Sequence, residues 1–261
     1  MEDAFSALED FSADRAVVPA ENSVDGPIDR NLDLLLRHED VNIVGELVLP
    51  VNHCLLSLPG VKISGVRRVV SHPQALSHCK RRLEELNVEI DEVDSAADAA
   101  KFVAENGIGD TTAVIGSKVA AGEFGLQVLE HNFQDPTVNF NRYLQLGLGS
   151  GSAIRPGETR KTTVAFTLDS GVSDLFRAMW IFEVRGVRVT RVEHRPNRAN
   201  PIRTVEKETG KAVKLDYVFV LDLEGCGSDP KVKAALTGLA EIAGFVRVLG
   251  SYTSKCESIR S

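Results

Sequence analysis

Apolar residues recur at helical spacing from the start of the chain, at Ala4, Phe5, Leu8 and Phe11, and predict a helix over residues 1–12. A short apolar run, RAVVP, follows as a buried strand. In GPIDRNLDLLLRHE the residues Ile28, Leu32, Leu35 and Leu36 share one face, behind a Pro27 suited to a first helical turn. NIVGELVLP and HCLLSL are rich in β-branched residues and leucine and are interrupted by Pro50 and Pro59, so they read as strands. The period then alternates. RRVVS is a strand, 73–87 a helix, 88–93 a strand, and 95–106 a helix opened by Ser95 with Asp98 three residues on. TTAVIG, a helix from Ser117 to Phe124, and strands near 126–133 and 142–148 complete the series. Strands alternating with helices predict a largely parallel α/β sheet.

GLGSGSAIRPGETR (147–160) is rich in Gly and Ser and carries Pro156 where a helix would have to start, so it reads as a linker. Its G-x-G lacks the helix that a phosphate-cradling loop needs immediately behind the glycines. Beyond it the pattern is βαββαβ: strand 162–168, helix 173–184, strands 187–193 and 215–223, helix 230–243, strand 245–251. That is a ferredoxin-like order. The connection 194–214 is long for a hairpin, and such loops are either functional or mobile. The division expected is 1–148, a linker at 149–160, and a second domain at 161–253.

With 261 residues, 43% hydrophobic and 26% charged, the chain can bury one large core or two smaller ones. A net charge of -7 argues against a nucleic-acid partner, which would need clustered Lys and Arg. Cys54, Cys79, Cys226 and Cys256 have no zinc-type spacing and suggest free thiols; no metal is expected. His38, His53 and His131 also lack ligand spacing and read as surface or packed residues. No apolar run approaches the roughly 18 residues of a membrane span, and neither a secretory signal nor a transit segment is expected at the start.

Six stretches, in order, resemble the prephenate dehydratase family and within it the plant-type arogenate dehydratases: VVPAENSVDGPI, GELVLPVNHCLLSLPGV, RRVVSHPQALSHC, FQDPTVNFNRYL, VTRVEHRP and FVRVLGSY. The resemblance implies a two-lobed α/β catalytic domain folded like a periplasmic binding protein, with the site in its cleft, followed by a C-terminal ACT domain. It implies a decarboxylating dehydration, of prephenate to phenylpyruvate or of arogenate to phenylalanine, with no cofactor. The alternative is an impaired paralogue that binds aromatic amino acids as a regulatory subunit. The family's opening strand and glycine-rich turn have no counterpart before residues 1–12, so buried edges and polar groups are expected to lack partners there.

The same resemblance assigns residues. Glu21, Asn22 and Ser23 match Glu-Asn-Ser, neutral donors placed near a helix N-terminus; read alone, Ser23 and Asp25 are a cap or a turn. Ser71 and Gln74 fall in Ser-His-Pro-Gln, with Ser71 expected to face the cleft at a strand end. His78 stands before Cys79 where the family has glutamine, exchanging an amide for a titratable ring. In Asn139-Phe140-Asn141-Arg142-Tyr143 the arginine is kept, whereas Asn141 replaces the threonine that assists departure of hydroxide. Ser23, Asn141 and Arg142 are the expected catalytic residues, and Glu21, Asn22, Ser71, Gln74, His78 and Tyr143 the expected substrate contacts. Gly171 to Leu175 (GVSDL) and Glu193, His194, Arg195 and Pro196 match the effector-binding motifs, with His194 in place of serine, and imply altered phenylalanine sensing. A homodimer or homotetramer is implied, as is a plastid location, with the cytoplasm as the alternative.

Overall fold

A computed structural model describes residues 1–106, 111–135, 138–149, 160–168, 172–207 and 210–256. The chain divides into two compact units, Met1–Leu49 with Phe140–Ser261, and Pro50–Asn139. The linker residues 150–159 and Gly171 lie outside the described residues.

The first unit opens with α1 (Glu2–Glu9), which buries Phe5 and Leu8 as its spacing predicts. β1 (Ala16–Asn22) follows, then β2 (Gly26–Pro27), α2 (Asp29–Arg37) and β3 (Val41–Pro50). Pro27 does not open the helix: it pairs with Glu21 across a tight reversal that Gly26 permits at φ 90°. The Glu-Asn-Ser segment therefore ends in a hairpin, not at a helix N-terminus. On α2, Leu34 and Leu35 are buried.

The second unit contains β4 (Cys54–Ser57), β5 (Arg68–Ser71), α3 (Pro73–Ser77), α4 (Lys80–Leu86), β6 (Glu89–Glu92), α5 (Ala96–Asn106), β7 (Thr112–Gly116), α6 (Lys118–Phe124) and β8 (Gln127–Glu130). Its sheet has the order β6-β5-β7-β4-β8. β5 runs parallel to β6 and β7, whereas β4 is antiparallel to both β7 and β8, so the sheet is mixed rather than largely parallel. A continuous apolar run reports burial on both faces, which β4 shares with the parallel strands, and says nothing of direction. Leu55, Val69 and Ile115 pack on one face with Leu83 and Phe133; Leu56, Val70 and Val114 pack on the other with Ala99 and Val103. The helix predicted over 73–87 is two helices. The His78 carbonyl accepts the N–H of Asp135 at 2.8 Å instead of continuing the helical ladder.

The chain returns to the first unit through β9 (Phe140–Leu148) and continues as β10 (Arg160–Leu168), α7 (Leu175–Glu183), β11 (Val189–Pro196), β12 (Ile202–Lys207), β13 (Gly210–Leu215), β14 (Tyr217–Glu224), α8 (Pro230–Ala240) and β15 (Ala243–Cys256). The long connection holds a hairpin of its own, β12 against β13. The expected βαββαβ order is present as β11-β14-β10-β15, and the same sheet runs on through β3, β9, β1 and β2. The junction is a parallel pairing of β15 with β3, Ser254 opposite Glu46. Val164, Phe166, Phe219 and Leu221 face α7 and α8, while Ala165, Val220, Leu249 and Tyr252 join Val18, Leu34, Leu35 and Ile43 in a second core. Among the described residues, three buried side-chain atoms have no hydrogen-bond partner: Asn31 Oδ1, His38 Nε2 and Asp135 Oδ1.

Candidate active site

The antiparallel ladder between β1 and β9 sets Glu21 opposite Arg142 and Asn22 opposite Asn141. Successive strand residues point to opposite faces, so the sequence-predicted site is split in two. On one face, Asn22 Nδ2 donates to Asn141 Oδ1 at 2.8 Å, and Asn141 Nδ2 donates to the Tyr143 hydroxyl at 3.4 Å. Asn22 Oδ1 accepts the N–H groups of Val24 and Asp25, which fixes the turn that carries Ser23. Ser23 is exposed; its hydroxyl accepts the N–H of Phe140 at 2.9 Å, and its own N–H donates to the Phe140 carbonyl. These contacts bring Asn22, Ser23, Asn141 and Tyr143 together as a neutral cluster of donors and acceptors.

The opposite face is ionic. Arg142 donates to Glu46 through Nε at 2.7 Å and Nη2 at 2.6 Å, and its Nη2 lies 2.7 Å from Asp222 and 3.2 Å from the Tyr252 hydroxyl. Glu21 is 3.6 Å from Arg142 and accepts from Arg191 Nε at 2.8 Å. Lys161 holds the other oxygen of Glu46 at 2.7 Å, and the Glu46 side chain is fully buried. Burial by itself would lower the pKa of Arg142, but Asp222, Tyr252 and Glu46 outweigh it and raise the pKa. Burial, reinforced by Asp222, pushes the Tyr252 phenol up. Arg142 is thus engaged by carboxylates from β3 and β14, which the motif alone did not indicate.

Of the predicted residues in the second unit, Ser71 is fully buried and donates its hydroxyl to the Ile115 carbonyl at 2.7 Å. Its hydroxyl proton is therefore turned into the sheet. Gln74 lies exposed in the first turn of α3, with its N–H on His72 Nδ1 at 3.2 Å. His78 gathers the most chemistry: its Nδ1 is 3.1 Å from Asn139 Nδ2 and 3.3 Å from His53 Nε2, the two rings lying 5.5 Å apart. Burial, then the neighbouring His78, lower the His53 pKa to about 4. His53 was read from sequence as a surface or packed residue; nothing in a separation of 25 residues announces the pairing.

The effector-motif residues alternate along edge strand β11. Arg195 makes a two-pronged pair with Asp33 on α2, at 2.8 and 3.1 Å, and contacts Asp29 at 2.5 Å. That pairing pulls the Asp33 carboxyl below its usual range. Glu193 accepts Arg191 Nη2 at 3.2 Å and the N–H of His194. His194 and Pro196 are exposed, the His194 ring lying edge-on to Tyr217 at 5.4 Å. Leu175 begins α7 and packs partly buried on the helix-side core.

Residues 1–150 match the family model described as Prephenate dehydratase. The chain belongs to the prephenate dehydratase family. A protein of Arabidopsis thaliana named Arogenate dehydratase/prephenate dehydratase 6, chloroplastic, is 43% identical over 254 residues, covering 95% of this chain and 60% of that protein. Arogenate dehydratase 3, chloroplastic, from the same organism is also 43% identical, over 95% of this chain and 59% of its own length. The chain thus spans about three-fifths of the length of these curated relatives. Among solved structures, the prephenate dehydratase from Arthrobacter aurescens in complex with L-Phe is 28% identical with a TM-score of 0.81, over 97% of this chain and 79% of that one. The two-unit α/β fold is that of the prephenate dehydratases.

Proposed function

We propose that this chain catalyses the decarboxylating dehydration of arogenate or prephenate, giving phenylalanine or phenylpyruvate. The observation that carries the reading is the Asn22–Asn141 pair, held in register by β1 and β9 within a chain of this family. Aromatisation of the ring drives the reaction. The protein has to stabilise a departing hydroxide, keep the ring carboxylate poorly solvated, and hold the side-chain carboxylate. The neutral amides of Asn22 and Asn141, with Ser23 and Tyr143, suit the first and third tasks without neutralising the carboxylate that must leave as carbon dioxide. Arg142 acts in this reading as a positioning residue: its ion pairs hold β9 against β3 and β14, so that residues 141 and 143 face the opposite side.

The division into a catalytic segment at 1–148 and an ACT segment at 161–253 is part of the same reading. It is supported by the strand order β11-β14-β10-β15. Phenylalanine is the proposed effector, with Glu193, His194, Arg195 and Pro196 as its candidate contacts, in line with the L-Phe complex of the Arthrobacter aurescens enzyme. A second copy of the chain is the proposed partner: Phe176, Trp180 and Val184 recur every fourth residue along α7 and its C-cap and are 75%, 58% and 53% exposed. The chloroplastic names of the relatives support a plastid location.

The test is direct. The purified chain is incubated with arogenate and with prephenate, and phenylalanine or phenylpyruvate is followed against the acid-catalysed blank. Excess product is expected from at least one substrate. A folded chain that gives none from either sinks the reading.

A further inference from the structure

Arg191 is not among the residues expected to form either site, yet its guanidinium bridges the two. Its Nε donates to Glu21 Oε2 at 2.8 Å and its Nη2 to Glu193 Oε2 at 3.2 Å, and the side chains of Arg191 and Glu193 are both 18% exposed. Glu21 Oε2 lies in turn 3.6 Å from Arg142 Nη1. Four side chains thus run in contact from Glu193 on β11, through Arg191, to Glu21 on β1 and Arg142 on β9, all inside one compact unit. The next residue on β1 and the preceding one on β9 are Asn22 and Asn141, the amide pair. The links are unequal: Arg142 already holds Glu46 at 2.6 Å and Asp222 at 2.7 Å, so Arg191 is the closer cation to Glu21. Both ends of that link follow a break in a ladder. The β1–β9 register shifts between Pro19 and Glu21, and the β11–β14 register between Val189 and Arg191. The extra residues, Ala20 and Thr190, immediately precede Glu21 and Arg191, and a bulge of this kind disrupts the ladder locally and re-aims the side chains beside it.

We propose that Arg191 is the positioning residue through which an amino-acid effector acts on the Asn22–Asn141 pair; the proposal rests on the dehydratase and effector readings above. The ammonium of an amino acid carries the same charge as the guanidinium and competes with it for the Glu193 carboxylate. With an ammonium on Glu193, Arg191 loses one of its two anchors. Glu21 then loses the fixed cation beside it, the end of β1 shifts at the Ala20 bulge, and Asn22 draws away from Asn141. Turnover falls. The effector needs no contact with the substrate for this, only a stronger hold on Glu193 in the loosened state than in the bridged one. The alternation of β11 puts Arg191, Glu193 and Arg195 on one face, so the same strand that meets the effector carries the bridge.

The full chain, Arg191→Met and Arg191→Lys are assayed for kcat and KM with arogenate and prephenate, alone and with saturating phenylalanine or 3-phenylpropionate, which has the ring and carboxylate but no ammonium. Calorimetry follows phenylalanine binding and circular dichroism the fold. Phenylalanine is expected to lower kcat of the full chain by at least about fivefold. 3-Phenylpropionate should leave it unchanged. Arg191→Met should bind phenylalanine within about threefold of the full chain's affinity, while its kcat responds by less than about twofold. Arg191→Lys keeps the charge but not the planar fork that spans two carboxylates, and its response should fall between the two. A purely structural role would change the uninhibited rate and leave the ratio of inhibited to uninhibited rates as it is. Inhibition of either folded variant as strong as that of the full chain, inhibition by 3-phenylpropionate, or loss of phenylalanine binding in Arg191→Met overturns the bridge and leaves the dehydratase reading intact. So does a full chain that turns over and ignores phenylalanine. No turnover by the folded full chain overturns both.

Discussion

On the proposed reading, Arg142 serves the site without reaching it. Its guanidinium is surrounded by Glu46, Asp222 and Glu21, and its side chain is 13% exposed. Removing it leaves buried carboxylates unpaired, so Arg142→Met should cost about 3–5 kcal/mol in a denaturant melt. Asn141 faces the other way, and there the expectation is opposite. On the proposed reading, Asn141→Thr supplies a hydroxyl to the leaving group and should raise kcat by about 10²-fold, with stability little changed. A fall in rate would mean that position 141 does not handle the leaving group. The sequence reading began this strand at 142 and took Asn141 and Arg142 together as catalytic; the strand begins at Phe140, and its alternation puts the two on opposite faces. The carboxylates awaiting Arg142 were not legible, because Glu46 and Asp222 stand far from it in the chain and only the tertiary fold brings them in. His53 was hidden for the same reason.

At the scale of elements, two of the contacts that join the βαββαβ segment to the rest of its unit can be tested by a single substitution each. The first is the clamp of Arg195 on Asp33 between β11 and α2. Hydrogen bonding to Arg195 holds the folded pKa of Asp33 below its ordinary value of 3.8, so its contribution to stability is present above that value and is lost as pH falls through the lowered one. Asp33→Asn should therefore be less stable than the parent at pH 7, and the gap between their melting temperatures should close as pH drops below 3.8. The second contact is the close approach of β15 to β3. A Cβ on Gly250 would sit 2.1 Å from the Ile43 carbonyl oxygen, so backbone has to yield. Gly250→Ala should cost about 3 kcal/mol or more, read by thermal melting. Helices and strands were largely readable from periodicity. Breaks and directions were not: the helix over 73–87 is interrupted by a hydrogen bond from the distant Asp135, and β4 runs antiparallel with no local signature.

At the scale of the whole molecule, the unit Pro50–Asn139 is a single continuous stretch interrupting the other. Its two ends are joined by the hydrogen bond from Val51 N–H to the Asn139 carbonyl, and it has its own sheet with apolar layers on both faces. Residues 50–139 expressed alone should unfold cooperatively in urea; a non-cooperative melt would show that they borrow their stability. The sequence predicts a division near 150, whereas the compact units divide after Leu49 and after Asn139. It could not foretell that the later part shares a core with the first 49 residues, because that core is assembled from strands whose order no local pattern encodes.

The seating of β15 beside β3 also bears on how the protein is made. At a ribosome's pace of about 5–20 residues per second, β15 emerges roughly 10–40 s after β3. Throughout that interval the nascent chain holds an unfinished sheet edge, while the inserted stretch is free to fold. The edge of β3 thus stays without its parallel neighbour until translation has supplied β15.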